Sequence, residues 1–414
     1  MKKVRILWLS CTPSCFDIKL NGGWVESLEK IVKAYLPEIE LGIVFEHPHE
    51  EFKVIQNGVV YYPVNIQRNK FYPVSKLFFS SVKSDYDALR PKYLKAINDF
   101  NPDLVQCFGT ELWHYSLLQK EVSVPFVVHM MGFWHIIKET NDIVNSSSSI
   151  FDYLSPIRIL KKYKSHISSQ EHLALEMETM SVIKYFMGRT EWDKQIIHHF
   201  SPQAKYFYCS EALREEFYTS ATSWSYKEDD IIRLITVSNA GKLKGNEIIL
   251  RTAHILKKCF NKKVHWIYTS SRELMKEYEN KVGVKCKDVG IDLVGRLSPA
   301  NLIDVLVSAQ MFVHPSAIEN SSNAVCEAQL LGVPVISSNV GGMAQIVDDQ
   351  YSGVLYPYNE PYALAFRILE MHNNEERLTA LSSNEKLISH QRHNPKMIAD
   401  NILSIYMDII NDQK

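Results

Sequence analysis

Short apolar runs of strand length alternate along the chain with longer stretches whose apolar residues recur every third or fourth position. Val4–Ser10 is the first such run, and Val25, Leu28, Ile31 and Val32 then fall on one face of a helix. Leu41–Phe45, Leu104–Phe108 and Pro125–Met131 read as further strands, with Pro102-Asp103 punctuating the entry to the second of them. Strands separated by amphipathic helices predict βαβ units and a parallel sheet. Four consecutive serines mark Glu139–Ser149 as a loop, and a long, partly basic helical segment follows over Ile157–Lys184.

The polar stretch Thr219–Asp230 reads as a linker, after which the alternation starts again. Strands are expected at Ile231–Val237, Val264–Tyr268, Ile291–Val294, Met311–His314 and Val333–Ser337, with helices such as Glu247–Lys258 and Leu302–Ala309 between them. This places one Rossmann-like domain at 1–222 and a second at 223–395. A last helix within 396–414 is expected to return to the first domain. The expected fold class is α/β: two doubly wound domains, expected to face each other across a cleft because such sheets bind ligands at the carboxyl ends of their strands.

Composition narrows the partners. Lys and Arg number 46 against 47 Asp and Glu, so no net field favours nucleic acid. The first apolar run contains Arg5, is far shorter than the roughly 20 residues that span a bilayer, and is followed by no cleavage pattern. A cytoplasmic chain is expected. The seven cysteines, at 11, 15, 107, 209, 259, 286 and 326, form no CxxC pair, so reduced thiols and no metal site are expected.

The chemistry concentrates between Phe312 and Ile336. A strand ends at Pro315, a polar loop carries Glu319, Asn320, Ser321 and Ser322, and a helix starts near Ser322 or Asn323 with Glu327 inside it. The free amides of such a first turn attract a phosphate. A carboxylate in the early helix suits a ribose diol, and one in the loop suits sugar hydroxyls. The same two acids also read as a solvated helix acid and a loop acid.

The spacing of Glu319 and Glu327, followed by Ala328 and Gly332-Val333-Pro334-Val335-Ile336, resembles the signature of glycosyltransferase family 4, retaining enzymes of the GT-B architecture. Gly341-Gly342, Gly353-Val354-Leu355 and the Asn21-Gly22-Gly23 turn are similar to the same pattern. The likeness is strongest over Val289–Pro357, moderate over Ile231–Lys258 and weakest in the first half. Phe108-Gly109-Thr110-Glu111, Gly188 to Asp193 and Leu213 to Tyr218 look like a bacterial polysaccharide branch.

The resemblance implies transfer of a sugar from a UDP- or GDP-linked donor to a hydroxyl of a glycan or lipid-linked saccharide. It implies a front-face reaction with no metal or other cofactor, and peripheral contact with an inner membrane is compatible with it. In that scheme Glu327 holds the ribose, Glu319 the transferred sugar, and Lys244 the leaving diphosphate, with Gly22, Gly23, Asn320, Ser321, Ser322 and Asn323 around the donor. Relatives carry an arginine five or six residues before that lysine. Ser238 and Asn239 stand there instead, and Lys242 or Arg296 is the candidate replacement. The slot that often holds a histidine after the mid-domain strand contains Met131, with His129 and His135 nearby. His129 reads either as a catalytic contact or as a packed strand residue. Arg189 and Glu191, with His135, are acceptor-side candidates, or Arg189 pairs structurally with Glu191 or Asp193. The missing arginine keeps a non-catalytic nucleotide-sugar-binding relative open, and a nucleotide-sugar epimerase is the other alternative.

Overall fold

A computed structural model describes residues 3–17, 23–65, 82–110, 114–144, 156–238 and 241–413. By contact the chain divides into unit 1, Met1–Ala212 with Pro395–Lys414, and unit 2, Leu213–Asn394.

Unit 1 runs β1 (Val4–Ser10), α1 (Gly23–Tyr35), β2 (Ile39–Glu46), β3 (Val54–Gln56), β4 (Val59–Val64), α2 (Val82–Phe100), β5 (Leu104–Phe108) and β6 (Phe126–His129). It continues through α3 (Trp134–Val144), α4 (Pro156–Val182), β7 (Tyr185–Gly188), α5 (Glu191–Phe200) and β8 (Lys205–Tyr208). These strands form one sheet in the order β3-β4-β2-β1-β5-β6-β7-β8, parallel except for the β3–β4 hairpin. Every residue of β5, β6 and β7 is buried, as in a parallel sheet covered on both faces. Asn57 and Gly58 turn the hairpin with φ of 51° and 81°, the left-handed pair that a two-residue turn requires. The strand pattern did not single out this hairpin, β7 or β8. Helix α3 also continues to Val144, into the stretch expected to be loop, because its apolar face carries on past Glu139; 145–149 lie outside the described residues.

The C-terminal helix, Pro395–Asn411, belongs to unit 1. Ile398, Ile402, Ile405, Tyr406 and Ile409 recur at helical spacing and share a core with Ile6 and Trp8 of β1 and Val25 of α1.

Unit 2 runs α6 (Glu215–Thr219), β9 (Ile231–Thr236), α7 (Asn246–Lys258), β10 (Lys263–Tyr268), α8 (Arg272–Val282), β11 (Ile291–Leu293) and α9 (Pro299–Ser308). It continues through β12 (Met311–His314), α10 (Asn323–Leu331), β13 (Val335–Ser338), α11 (Met343–Ile346), β14 (Val354–Tyr356), α12 (Pro361–Met371) and α13 (Glu375–Arg392). The all-parallel sheet has the order β11-β10-β9-β12-β13-β14. The boundary falls ten residues before the 222/223 expected from composition, since Leu213, Phe217 and Trp224 are buried in the core of unit 2. Trp224 anchors the polar stretch there: its indole N–H donates to the Ala309 carbonyl at 2.8 Å and its amide to that of Leu331 at 2.8 Å. Among the described residues, no helix is long and apolar enough to cross a membrane.

Candidate donor site in unit 2

In unit 2 the strand order reverses between β9 and β12. From β9 the chain moves outward to β10 and β11, and from β12 it moves the other way to β13 and β14. The loops leaving the carboxyl ends of two such neighbours diverge and open a crevice at the switch point. Lys244 lies on the loop after β9 and Glu319 on the loop after β12, so topology alone brings the two together.

Local packing sets their positions closely. Gly245 sits at φ 72°, and a Cβ there would meet the Pro315 carbonyl oxygen at 2.1 Å, so only glycine lets the Lys244 loop lie against the end of β12. The Ala317 amide donates to the Leu243 carbonyl at 2.7 Å and ties the two loops. On the other side, Gly341 has φ 52°, and its Cβ would meet the Glu319 carbonyl oxygen at 1.9 Å. The Gly342 amide donates to that same carbonyl at 3.0 Å. Ser338 Oγ donates to the Ser316 carbonyl at 2.6 Å.

Glu319 Oε1 accepts from Lys244 Nζ and lies 3.1 Å from His314 Nε2, the last residue of β12. Burial pushes its carboxyl up, but the Lys244 charge and the bonded His314 outweigh that and hold it well below the usual carboxylate range. Glu319 therefore stays ionised, and among the described residues none bonds its second oxygen. His314 was in the sequence stretch without a role. A strand-end histidine five residues before the acid follows no periodicity, and only the turn after β12 brings it back.

Glu327 is the fifth residue of α10 and 4% exposed. It is paired: Arg214 Nε and Nη2 donate to its two oxygens at 2.7 and 2.6 Å, the fork geometry of a guanidinium on a carboxylate. Burial raises the Glu327 carboxyl, and Arg214 offsets this only in part. Arg214 belongs to the quoted Leu213–Tyr218 piece, but 113 residues separate the partners, so no local pattern signals the pair.

The remaining candidates divide. Ser322 caps α10 by position without a side-chain bond, Asn323 is its first residue, and Asn320 is buried. The Ser321 hydroxyl is buried with no hydrogen-bond partner among the described residues. Arg296 is exposed beyond the edge strand β11 and joins no ion pair among the described residues. Lys242 lies 3.8 Å from Glu277. Ser238 donates its amide to Thr269 Oγ1 at 2.9 Å, and Asn239 lies outside the described residues.

In unit 1, Gly23 opens α1 with φ 60° and open space where a Cβ would be; Gly22 lies outside the described residues, as does Glu111. His129 ends β6, 1% exposed, and burial followed by the Arg189 charge pushes its imidazole well below its ordinary range, so it is neutral. Met131 is half-buried, its sulfur 3.9 Å from the Cys11 thiol. His135 is half-exposed on α3, 3.3 Å from Glu139. Arg189 forms neither expected ion pair. Asp193 caps α5 instead, accepting from the Arg189 amide at 2.8 Å and closing a capping box with Thr190, and Glu191 is exposed beside Lys194 at 3.2 Å.

Residues 232–374 match the family described as Glycosyl transferases group 1. The chain is 37% identical over 117 residues to an uncharacterised glycosyltransferase of Methanocaldococcus jannaschii, covering 28% of this chain and 33% of that protein. It is 30% identical over 125 residues to a D-inositol 3-phosphate glycosyltransferase of Saccharomonospora viridis, 29% of each. The matches thus span about a third or less of these curated relatives. Whole-chain likeness appears in structure. A sucrose-phosphate synthase from Thermosynechococcus elongatus superposes with a TM-score of 0.73 at 14% identity, covering 99% of this chain and all of that one. An Anabaena protein solved with UDP-glucose superposes with a TM-score of 0.64 at 15% identity, covering 98% and 99%. The segment that carries Lys244, Glu319 and Glu327 thus matches the Glycosyl transferases group 1 family, and the chain as a whole is similar in fold to GT-B glycosyltransferases.

Proposed function

We propose that the chain transfers a sugar from a nucleotide-diphosphate donor to a hydroxyl acceptor with retention at the anomeric carbon. The observation that carries this is Glu319, kept ionised by Lys244 and His314 with one oxygen that no described residue bonds, at the switch point of unit 2. That oxygen accepts from hydroxyls of the transferred sugar. Lys244, already at the carboxylate, also faces the leaving diphosphate as a point charge. The amides at the start of α10 take phosphate oxygens, and Glu327 receives the ribose while trading or sharing Arg214. Catalysis then rests on positioning and on stabilising the leaving charge, without a metal. The relative solved with UDP-glucose supports a uridine donor.

The acceptor side is assigned to unit 1. Polysaccharide or glycan synthesis in the cytoplasm, at or near the inner membrane face, is the setting this reading favours.

The test is calorimetric titration of UDP, GDP and ADP into the parent chain and Glu319→Gln, with transfer assayed from the corresponding UDP- or GDP-sugars. One nucleotide should bind with EDTA present. Glu319→Gln should lower kcat by about 10- to 100-fold, the worth of a charge-assisted hydrogen bond, with little change in nucleotide affinity. The anomeric configuration of the product, read by NMR, decides retention. An unaltered rate in Glu319→Gln removes the role assigned to that side chain.

A further inference from the structure

Unit 1 contains a buried charge that nothing described neutralises. Arg189 directly follows β7 and is 4% exposed, yet its Nε and Nη2 have no hydrogen-bond partner, and among the described residues no carboxylate forms an ion pair with it. Its guanidinium carbon lies 4.2 Å from the centroid of the Trp24 ring, and a ring face is a weak substitute for a counter-ion. The His129 ring meets the same indole edge-on, with centroids 4.9 Å apart, and its Nε2 is also buried without a partner.

A chain of donors defines what that nitrogen offers. The Trp8 indole can only donate, and its Nε1 does so to Tyr406 Oη at 3.1 Å. Tyr406 Oη in turn donates to Gln106 Oε1 at 2.6 Å, which leaves the Gln106 amide group facing His129 Nδ1 at 3.5 Å. His129 Nδ1 must therefore accept, and the ring proton sits on Nε2. The C-terminal helix, through Tyr406, thus sets the tautomer of a strand residue some 280 positions earlier (406 minus 129 is 277).

Three donor nitrogens, Arg189 Nε and Nη2 and His129 Nε2, are then buried and unanswered around one indole. Native interiors rarely leave such groups unpaired; water, an ion or a ligand group normally answers them. We infer that Arg189 and the Nε2–H of His129 form a binding site in unit 1 for an anionic oxygen group, a phosphate or a carboxylate. Trp24 holds the guanidinium flat, and the neutral imidazole adds a donor without a second positive charge. The inference rests on the transferase reading only for the origin of the ligand, an acceptor that carries the anion. Binding itself does not depend on transfer.

The experiment uses the full chain carrying Lys244→Ala, which removes the phosphate-facing lysine of unit 2. Inorganic phosphate and sodium glucuronate are titrated by calorimetry at pH 7, with and without Arg189→Gln. At least one probe should saturate a single site, and Arg189→Gln should weaken it tenfold or more. Arg189→Lys keeps the charge without the fork and should fall between the two, which also provides a reading if the glutamine variant fails to fold. Binding of phosphate alone assigns a phosphate-bearing ligand, and binding of glucuronate alone assigns a carboxylate. Without anion, Arg189→Gln should melt no lower than its parent, because an unpaired buried charge has been removed, and phosphate or glucuronate should raise the melting temperature of the parent only. Affinities unaffected by either substitution, or no binding of either probe, overturn the site. Failure of the chain with Lys244 in place to transfer sugar, while the anion still binds the Lys244→Ala chain, would fall on the transferase reading instead.

Discussion

Replacing Arg214 with alanine strips a carboxylate that is 4% exposed of the cation that bonds both its oxygens. Breaking a buried ion pair from one side costs roughly 3–5 kcal/mol when the remaining charge has no recourse. Two features lower that here. The Arg214 side chain is 34% exposed, so water can enter the space it leaves. Glu327 can also take up a proton, which limits the cost of its charge to about 3.7 kcal/mol at pH 7, at about 1.36 kcal/mol for each of the roughly 2.7 pH units that separate pH 7 from the pKa of an ordinary glutamate. The expected loss is therefore about 2–4 kcal/mol at pH 7 and about 1 kcal/mol at pH 5, where protonation costs little. The sign follows from burial: a carboxyl whose folded pKa is raised contributes most below its unfolded value and loses that contribution as pH rises. Urea unfolding of the parent, Arg214→Ala, Glu327→Gln and the double variant, at both pH values, measures this. In the double variant most of the loss should return. A loss equal at pH 5 and pH 7, or below about 0.5 kcal/mol at both, would refute the reasoning.

Other outcomes follow from single contacts. Gly341→Ala places a Cβ on the Glu319 carbonyl at a left-handed φ of 52°, so it should cost about 2–4 kcal/mol and lower the rate of the proposed transfer by displacing Glu319, read by thermal melting and initial rates. Tyr406→Phe removes the hydroxyl between Trp8 and Gln106 and should destabilise unit 1 by about 1–2 kcal/mol; an unchanged urea midpoint would contradict the donor chain. Glu385, fully buried on α13, is pushed well above the ordinary carboxyl range by burial, which the Val335 backbone offsets only in part. Its contribution is complete below the unfolded pKa and declines as pH rises toward the folded one, so Glu385→Gln should flatten the fall in stability between pH 5 and 8.

Much of the fold can be read from local pattern. Buried strands such as β1, β5 and β12 are runs of apolar residues, and α1 and α7 carry one apolar face each, because burial on a regular element imposes its own period on the chain. β7 and β8 were not legible: no glycine or proline separates β7 from the long helix before it, and β8 is a mixed run whose two end residues are exposed. The hairpin carried a usable signal in Asn57-Gly58, which went unread.

The candidate site divides along the same line. Glu319 and Glu327 stand out because glycines, caps and acids at short spacing belong to one loop-to-helix unit, which a single stretch of chain encodes. Their electrostatic partners do not. Lys244 reaches Glu319 across 75 positions and Arg214 reaches Glu327 across 113, because strand order rather than sequence distance decides which loops share the crevice at the switch point. Arg189 shows the other side of this: the sequence offers it Glu191 and Asp193 as partners, but the capping of α5 takes Asp193, Glu191 points to solvent, and the charge is left facing Trp24. Residue types and periods determined the elements and the chemistry available. Tertiary packing alone decided which charges are answered, since solvent exclusion and long-range contact have no representation in local sequence.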